Sequence, residues 1–282
     1  MLNKNMRRVC LLIVSAVVFV TSLQAGQAGQ TVTVRNVTLG EGRPKICSPI
    51  TSATTAELLD EIAMVRQSKA DIVEWRVDFF GDVFDLQKVK IAACQLRNAM
   101  GDTPLLFTFR TKQEGGEKEI AKDYYVALNQ GVAESGFVDL VDFEMFTGDD
   151  ACRAVIDAAH AAGVKVVLSS HDFKKTPAQN VIEDRLLKMA ALGADLPKIA
   201  VMARTPEDVL TLLAATVSVS KQLEDRCPII TMSMSSLGTV SRMCGEAFGS
   251  SLSFGTVKRA SAPGQLTTGD LSAALDMLRL AK

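Results

Sequence analysis

The first strand-like pattern along the chain is an alternating stretch, Thr31-Val-Thr-Val-Arg-Asn-Val-Thr38. A Gly40-Glu-Gly42 turn follows, and then a second short strand from Pro44 to Ile50. From Thr54 to Ser68 the period changes to that of a helix, with Leu58, Leu59, Ile62 and Val65 on one face. Apolar, β-branched runs then alternate with helical ones to the end of the chain. The spacing predicts further strands over 71–80, 104–110, 137–145, 164–170, 198–203, 228–234 and 253–258. It predicts helices over 85–100, 122–134, 149–162, 178–192, 205–223, 239–248 and 268–281. Counted from the strand at 44–50, eight strand-then-helix units follow one another without a long structureless gap. That count predicts an α/β chain folded as a (β/α)8 TIM barrel, with the N-terminal β-hairpin at 31–42 outside the repeat and closing the bottom. An open doubly wound sheet is the alternative. The chain has neither GxGxxG nor GxxxxGK[ST], so nucleotide binding loses its main signal.

The first residues do not fit the repeat. Lys4, Arg7 and Arg8 precede an apolar run from Val9 to Val20, and small residues follow, which is the layout of a secretory signal peptide over 1–25. The run is about 12 residues against about 20 for a membrane span, so no stable membrane anchor is expected. Residues 30–282 then form a single catalytic barrel, and the expected location is the periplasm, with the cytoplasm as the alternative. Composition narrows the picture further. With 282 residues, 48% of them apolar, 22% charged and a net charge of -1, the chain can bury a large core and has no basic excess for nucleic acid. Five cysteines remain outside the leader, without CxxC spacing, and read as buried thiols. Only His160 and His171 are available as imidazole ligands, so no metal is expected.

Barrel enzymes carry their chemistry at the carboxyl ends of the strands. Glu74, Arg76 and Asp78 alternate with Val73, Trp75 and Val77, so one charged row faces the barrel axis. Arg110 ends the next strand and leads to Glu114; Asp142 and Glu144 lie on the one after. Buried charges of both signs should pair into a network. His171 closes the strand at 164–170, where a histidine titrating near neutrality can act as general acid and base. His160, at a helix end, reads as a surface or capping residue. Lys198 lies on a strand among apolar residues. If it faces inward, lost solvation and neighbouring arginines should lower its pKa from about 10.4 and make it a Schiff-base nucleophile. If it faces the barrel bottom, it can reach solvent instead. Arg242, after the strand at 228–234, offers a guanidinium for a carboxylate, and Ser261 to Gln265 form a Pro-Gly loop; a phosphate site competes for these two loops.

Taken in order, Glu74-x-Arg76-x-Asp78, Phe-Arg110-Thr-x-x-Glu114-Gly-Gly-Glu, Ser-x-His171-Asp-Phe, Pro-Lys198-Ile-Ala, Gly-x-x-Ser-Arg242 and Ser261-Ala-Pro-Gly-Gln265 resemble type I 3-dehydroquinate dehydratase. The resemblance runs from about residue 44 to the C-terminus. It implies a barrel enzyme, usually a homodimer, that dehydrates 3-dehydroquinate to 3-dehydroshikimate in shikimate or quinate metabolism with no cofactor. It also implies that Lys198 forms an imine, His171 acts as acid and base, and Glu114 orients His171. Glu74, Arg76 and Arg110 would contact substrate hydroxyls or shape the pocket, Arg242 would hold the carboxylate, and Ser261 and Gln265 would close over the ligand. A leader departs from the cytosolic biosynthetic members and suggests catabolic quinate use. A Schiff-base aldolase and a catalytically dead, exported binding barrel are the competing readings.

Overall fold

A computed structural model describes residues 30–258 and 260–280; the leader expected over 1–25 lies outside the described residues. The element order is β1 (Val32–Val34), β2 (Val37–Leu39), β3 (Lys45–Ile50), α1 (Thr55–Arg66), β4 (Ile72–Arg76), α2 (Leu86–Met100), β5 (Leu105–Thr108), α3 (Lys122–Ala133) and β6 (Leu140–Glu144). It continues with α4 (Asp149–Ala161), β7 (Lys165–Asp172), α5 (Gln179–Leu192), β8 (Leu196–Met202), α6 (Pro206–Gln222) and β9 (Ile230–Met234). The last elements are α7 (Thr239–Met243), α8 (Gly245–Phe248), β10 (Leu252–Thr256), β11 (Leu266–Thr267) and α9 (Thr268–Met277). Strands β3 to β10 pair in parallel, β3 beside β4 and so on to β9, with β10 beside β3. A bridge between Ile229 and Ser250 joins β9 to β10, and the Ser251 N–H donates to the Ile229 carbonyl at 2.9 Å. The sheet is therefore the eight-stranded parallel barrel that the alternation of periods predicts.

Strand alternation sorts the side chains into an outer and an inner set. Val73, Trp75, Phe107 and Phe143 point outward into the main core between sheet and helices, where the Trp75 ring meets Phe107 edge-on at 5.6 Å. Inward, the character changes with height. The lowest layer is apolar, made by Cys47, Ile72, Leu106, Leu140, Val167, Leu196, Ile230 and Leu252. Two residues further along the strands, the inward positions are Glu74, Thr108, Asp142, Ser169 and Lys198, all buried. The next step gives Arg76, Arg110, Glu144 and His171. The hairpin seals the apolar end: Val32, Val34, Val37 and Leu39 pack against the lowest layer. Inside the barrel, charge thus lies towards the end where the strand-to-helix loops converge. Helix starts are fixed locally, by capping boxes at Thr54 with Glu57 and at Thr205 with Asp208.

Three expectations need correction, and one further element was not expected. The stretch 31–38 is not one strand. It is the hairpin itself, turning at Arg35–Asn36 with Arg35 at φ 52, and Thr33 opposite Thr38. The apolar positions 32 and 34 but then 37 and 39 break parity at that turn, which is the signal a simple alternation misses. The strand over 71–80 stops at Arg76, and Val77–Phe79 form a 3-10 turn. Asp78 takes the Arg76 guanidinium at 2.8 and 2.7 Å, and the Glu117 N–H at 3.1 Å, so local bonds replace the ladder. The helix over 239–248 breaks at Cys244 into α7 and α8. Gly245 sits there against Pro44 and the Ser250 carbonyl, where a Cβ would come within 2.8 and 2.9 Å. Finally, β11 adds a parallel pair beside β10 that no sequence pattern announces.

Candidate active site

Lys198 is the third residue of β8, opposite Ser169 of β7 and Ile230 of β9. Its side chain is 4% exposed and points into the barrel, not to the bottom rim. The ammonium donates to Asp142 Oδ2 at 2.9 Å and lies 4.6 Å from the centre of the Phe254 ring. The sequence reading surrounds this amine with arginines; the structure instead gives it a carboxylate partner. Burying an ammonium without one would be very costly, so the pairing explains how a lysine is tolerated here.

His171 lies one inward step above Ser169 on the neighbouring strand, so its ring shares the cavity with Lys198. Its Nδ1 is 2.9 Å from Glu114 Oε2, and the same oxygen accepts the His171 backbone N–H at 2.9 Å. Nε2 makes no hydrogen bond among the described residues. Burial, and then the charges of Arg110, Lys198 and Arg76, push the imidazole well below its ordinary 6.5. This corrects the expectation of titration near neutrality: the ring is held neutral. Burial and the Glu144 carboxylate raise Glu114 to about 8. The Nδ1–Oε2 contact therefore fixes one edge of the ring and leaves Nε2 as its other polar atom.

The turn that carries Glu114 is pinned from below. Thr111 accepts the Glu114 N–H at 3.4 Å, while its own N–H and hydroxyl donate to Glu144 at 2.9 and 2.6 Å. Gly115, at φ +86, then reverses the chain with Phe173 so close that a Cβ would meet its ring at 2.4 Å. Arg110 ties the network together, donating to Asp142 at 2.7 Å, Glu144 at 2.9 Å and Ser169 at 3.0 Å. Glu74 accepts the Thr108 hydroxyl at 3.0 Å, and Arg76 is held by Asp78.

Arg242 on α7 is 1% exposed. One nitrogen donates to the Pro263 carbonyl at 3.0 Å, another lies 3.5 Å from the Met232 sulfur, and Nε has no partner among the described residues. No carboxylate pairs with it there either, and burial lowers its pKa to about 10. In the loop after β10, the Ser261 N–H donates to Gln265 Oε1 at 2.9 Å, and Gln265 Nε2 donates to the Ser261 hydroxyl at 3.1 Å.

A cavity open at the upper mouth is lined by Glu74, Arg76, Arg110, Glu114, His171, Lys198, Ser261 and Gln265. Of the nine candidates taken from the sequence, these eight share its wall; Arg242 is set behind it, against Met232. Sequence reasoning left out the apolar lining of Phe173, Met232, Met234 and Phe254. It had Asp142 in the ion-pair network but not at the Lys198 nitrogen, a contact set by the register of β6, β7 and β8, for which the linear sequence carries no signal. His160 lies elsewhere, bonded to Asp195 at 2.7 Å. Among the described residues no group of three or more His, Cys, Asp or Glu side chains is arranged to hold a metal ion. No described helix is long and apolar enough to cross a membrane.

Fold and site define a parallel (β/α)8 barrel with a charged cavity at its loop end. Comparison with known proteins makes this specific: the family model for type I 3-dehydroquinase matches residues 46–282, and the chain belongs to that family. It is 50% identical to a 3-dehydroquinate dehydratase of Clostridioides difficile over 247 residues, 88% of this chain and 96% of the relative. A Listeria monocytogenes 3-dehydroquinate dehydratase is 51% identical over 88% of this chain and 97% of its own length. A crystal structure of the Clostridium difficile type I enzyme with covalent modified comenic acid superposes with a TM-score of 0.85 and 49% identity, covering 89% of this chain and 98% of that one.

Proposed function

We propose that this chain dehydrates 3-dehydroquinate to 3-dehydroshikimate through an imine on Lys198. The observation that carries the reading is the placement of one amine and one neutral, carboxylate-oriented imidazole on the wall of the same cavity. In this mechanism the neutral amine adds to the substrate ketone and water leaves, giving an iminium. The iminium draws electrons from the adjacent carbon, so the proton there becomes acidic and passes to His171 Nε2. As the double bond forms, the hydroxyl departs with that proton as water. Hydrolysis of the iminium releases product and restores the amine. Glu114 fixes the imidazole through Nδ1, and Arg242 takes the substrate carboxylate with its unused nitrogens. Glu74, Arg76 and Arg110 shape the polar wall, and Ser261 and Gln265 open their mutual bonds to receive the ligand.

Borohydride trapping tests the reading. Incubation with substrate and reductant should add one reduced adduct to Lys198, found by peptide mass spectrometry, while Lys198→Ala should bind substrate and show no turnover in the ultraviolet assay for the conjugated product. An unmodified Lys198 in the wild-type protein would remove the imine route. A Schiff-base aldolase would yield two carbon fragments in place of the enone. We extend the proposal to a homodimer built from single barrels of residues 30–282, and to export by the first 25 residues, which would place the reaction in the periplasm.

A further inference from the structure

The nitrogen of Lys198 has one ionic partner among the described residues, and that partner is fully buried. Asp142 Oδ2 receives the ammonium at 2.9 Å, while Oδ1 is taken by Arg110 Nη2 at 2.7 Å and by the Ser169 hydroxyl at 2.6 Å. We propose that Asp142 is the permanent counter-ion of the reacting nitrogen, aiming the amine at the substrate ketone and then holding the imine in its protonated, electron-withdrawing form. This rests on the imine reading above and adds a catalytic residue to it.

The alternative role, proton acceptor from Lys198, conflicts with the surroundings. Two donors occupy Oδ1, and the Arg110 and Lys198 charges hold the Asp142 carboxyl below its usual range against the effect of burial. Asp142 stays ionised, so the proton lost by the attacking amine goes to another group in the cavity, such as His171 Nε2. The charge at nitrogen then explains the match. Before attack it is a cation, an ammonium. After the carbon–nitrogen bond has formed and the carbonyl oxygen has left as water, it is again a cation, an iminium with one N–H. A fixed anion at 2.9 Å favours both of these over the neutral amine and the neutral imine. The Phe254 face, 4.6 Å away, favours the same charge.

The other charged groups around Asp142 do not duplicate this role. Arg110, just beyond β5, and Arg76 on β4 are cations, which disfavour charge on nitrogen. Glu144, on β6 itself, is committed to Arg110 and Thr111, and Glu114 to His171. Glu74 on β4 bonds to Thr108. Removing the Asp142 charge therefore leaves an iminium facing arginines and a neutral imidazole.

The experiment compares pH profiles of kcat for wild type, Asp142→Asn and Asp142→Glu. Loss of an opposite charge at this distance corresponds to about one to three pH units. Asp142→Asn should move the alkaline limb of kcat down by that amount and lower kcat about 10²-fold, with KM within a few-fold. Asp142→Glu, which keeps the charge, should return the limb to its wild-type position. A purely structural role would lower thermal stability and leave the limb in place, and that result overturns the proposal. Borohydride trapping in wild type separates the two levels: no adduct on Lys198 defeats the imine itself, whereas an adduct with an unshifted Asp142→Asn limb defeats only the counter-ion. If Asp142→Asn fails to fold, wild-type protein with ¹⁵Nζ-lysine and bound 3-dehydroshikimate gives the answer. A protonated-imine resonance persisting through the alkaline range supports the proposal; a neutral-imine resonance at neutral pH overturns it.

Discussion

Replacing Arg242 by methionine should make the empty protein more stable and the enzyme far worse. The guanidinium is 1% exposed, with an unpartnered Nε and no carboxylate among its described neighbours. Burial alone lowers its pKa from the ordinary guanidinium range to about 10, which corresponds to a folding penalty of about 3 kcal/mol for keeping it charged. For a cation with a depressed pKa, the unfolded chain binds the extra proton. The penalty is therefore fully present below about pH 10 and is relieved only as pH rises above that. The bond to the Pro263 carbonyl returns about 1.5 kcal/mol of this. Arg242→Met, which refills the space with an apolar chain, should then gain about 1–2 kcal/mol at neutral pH, or about 2–8 °C in melting temperature. If Arg242 takes the substrate carboxylate as proposed, the same change would delete two charge-assisted hydrogen bonds worth about 1.5–3 kcal/mol each, and kcat/KM should fall about 10²- to 10⁴-fold. Differential scanning calorimetry and the ultraviolet product assay read both quantities on one preparation. A lower melting temperature combined with near-normal kcat/KM would refute the reasoning, because Arg242 would then be part of the scaffold and not a site kept open for an anion.

The Glu114 carboxyl, raised from 4.5 to about 8, stabilises the fold fully below pH 4.5, and that contribution is lost as pH rises through about 8. Glu114→Gln should flatten thermal stability across that window and lower kcat about 10²-fold with KM little changed; an unaltered stability slope would show that the group does not titrate there. Fractionation of expressing cells should find activity in the spheroplast supernatant and a mature N-terminus near residue 25. Activity confined to the cytosol with Met1 to Ala25 retained would reject export.

Much of the barrel was legible because its information is local and repeated. Each apolar strand run and each helical spacing reports on its own segment, and eight such units in series admit few architectures. The charged inward row was legible for the same reason: alternation alone sends Glu74 and Arg76 to the face opposite Trp75. Turn geometry was less accessible, since Asp78 leaves its strand through bonds to Arg76 and Glu117, the latter 39 residues away. The individual roles were carried by a resemblance, not by periodicity.

What the linear order could not decide is which charge meets which. Asp142 and Lys198 are 56 residues apart and touch only because β6, β7 and β8 stand side by side in one register. The consequence is chemical: an amine that the sequence leaves among arginines is neutralised by a buried carboxylate, and a histidine expected to titrate near pH 7 is held neutral by burial and three surrounding cations. Sequence set the residue types, their periods and hence the fold, because those follow from the chain's own short-range geometry. Pairing, desolvation and proton affinity depend on through-space distance in a low-dielectric interior, and only the closed barrel supplies that.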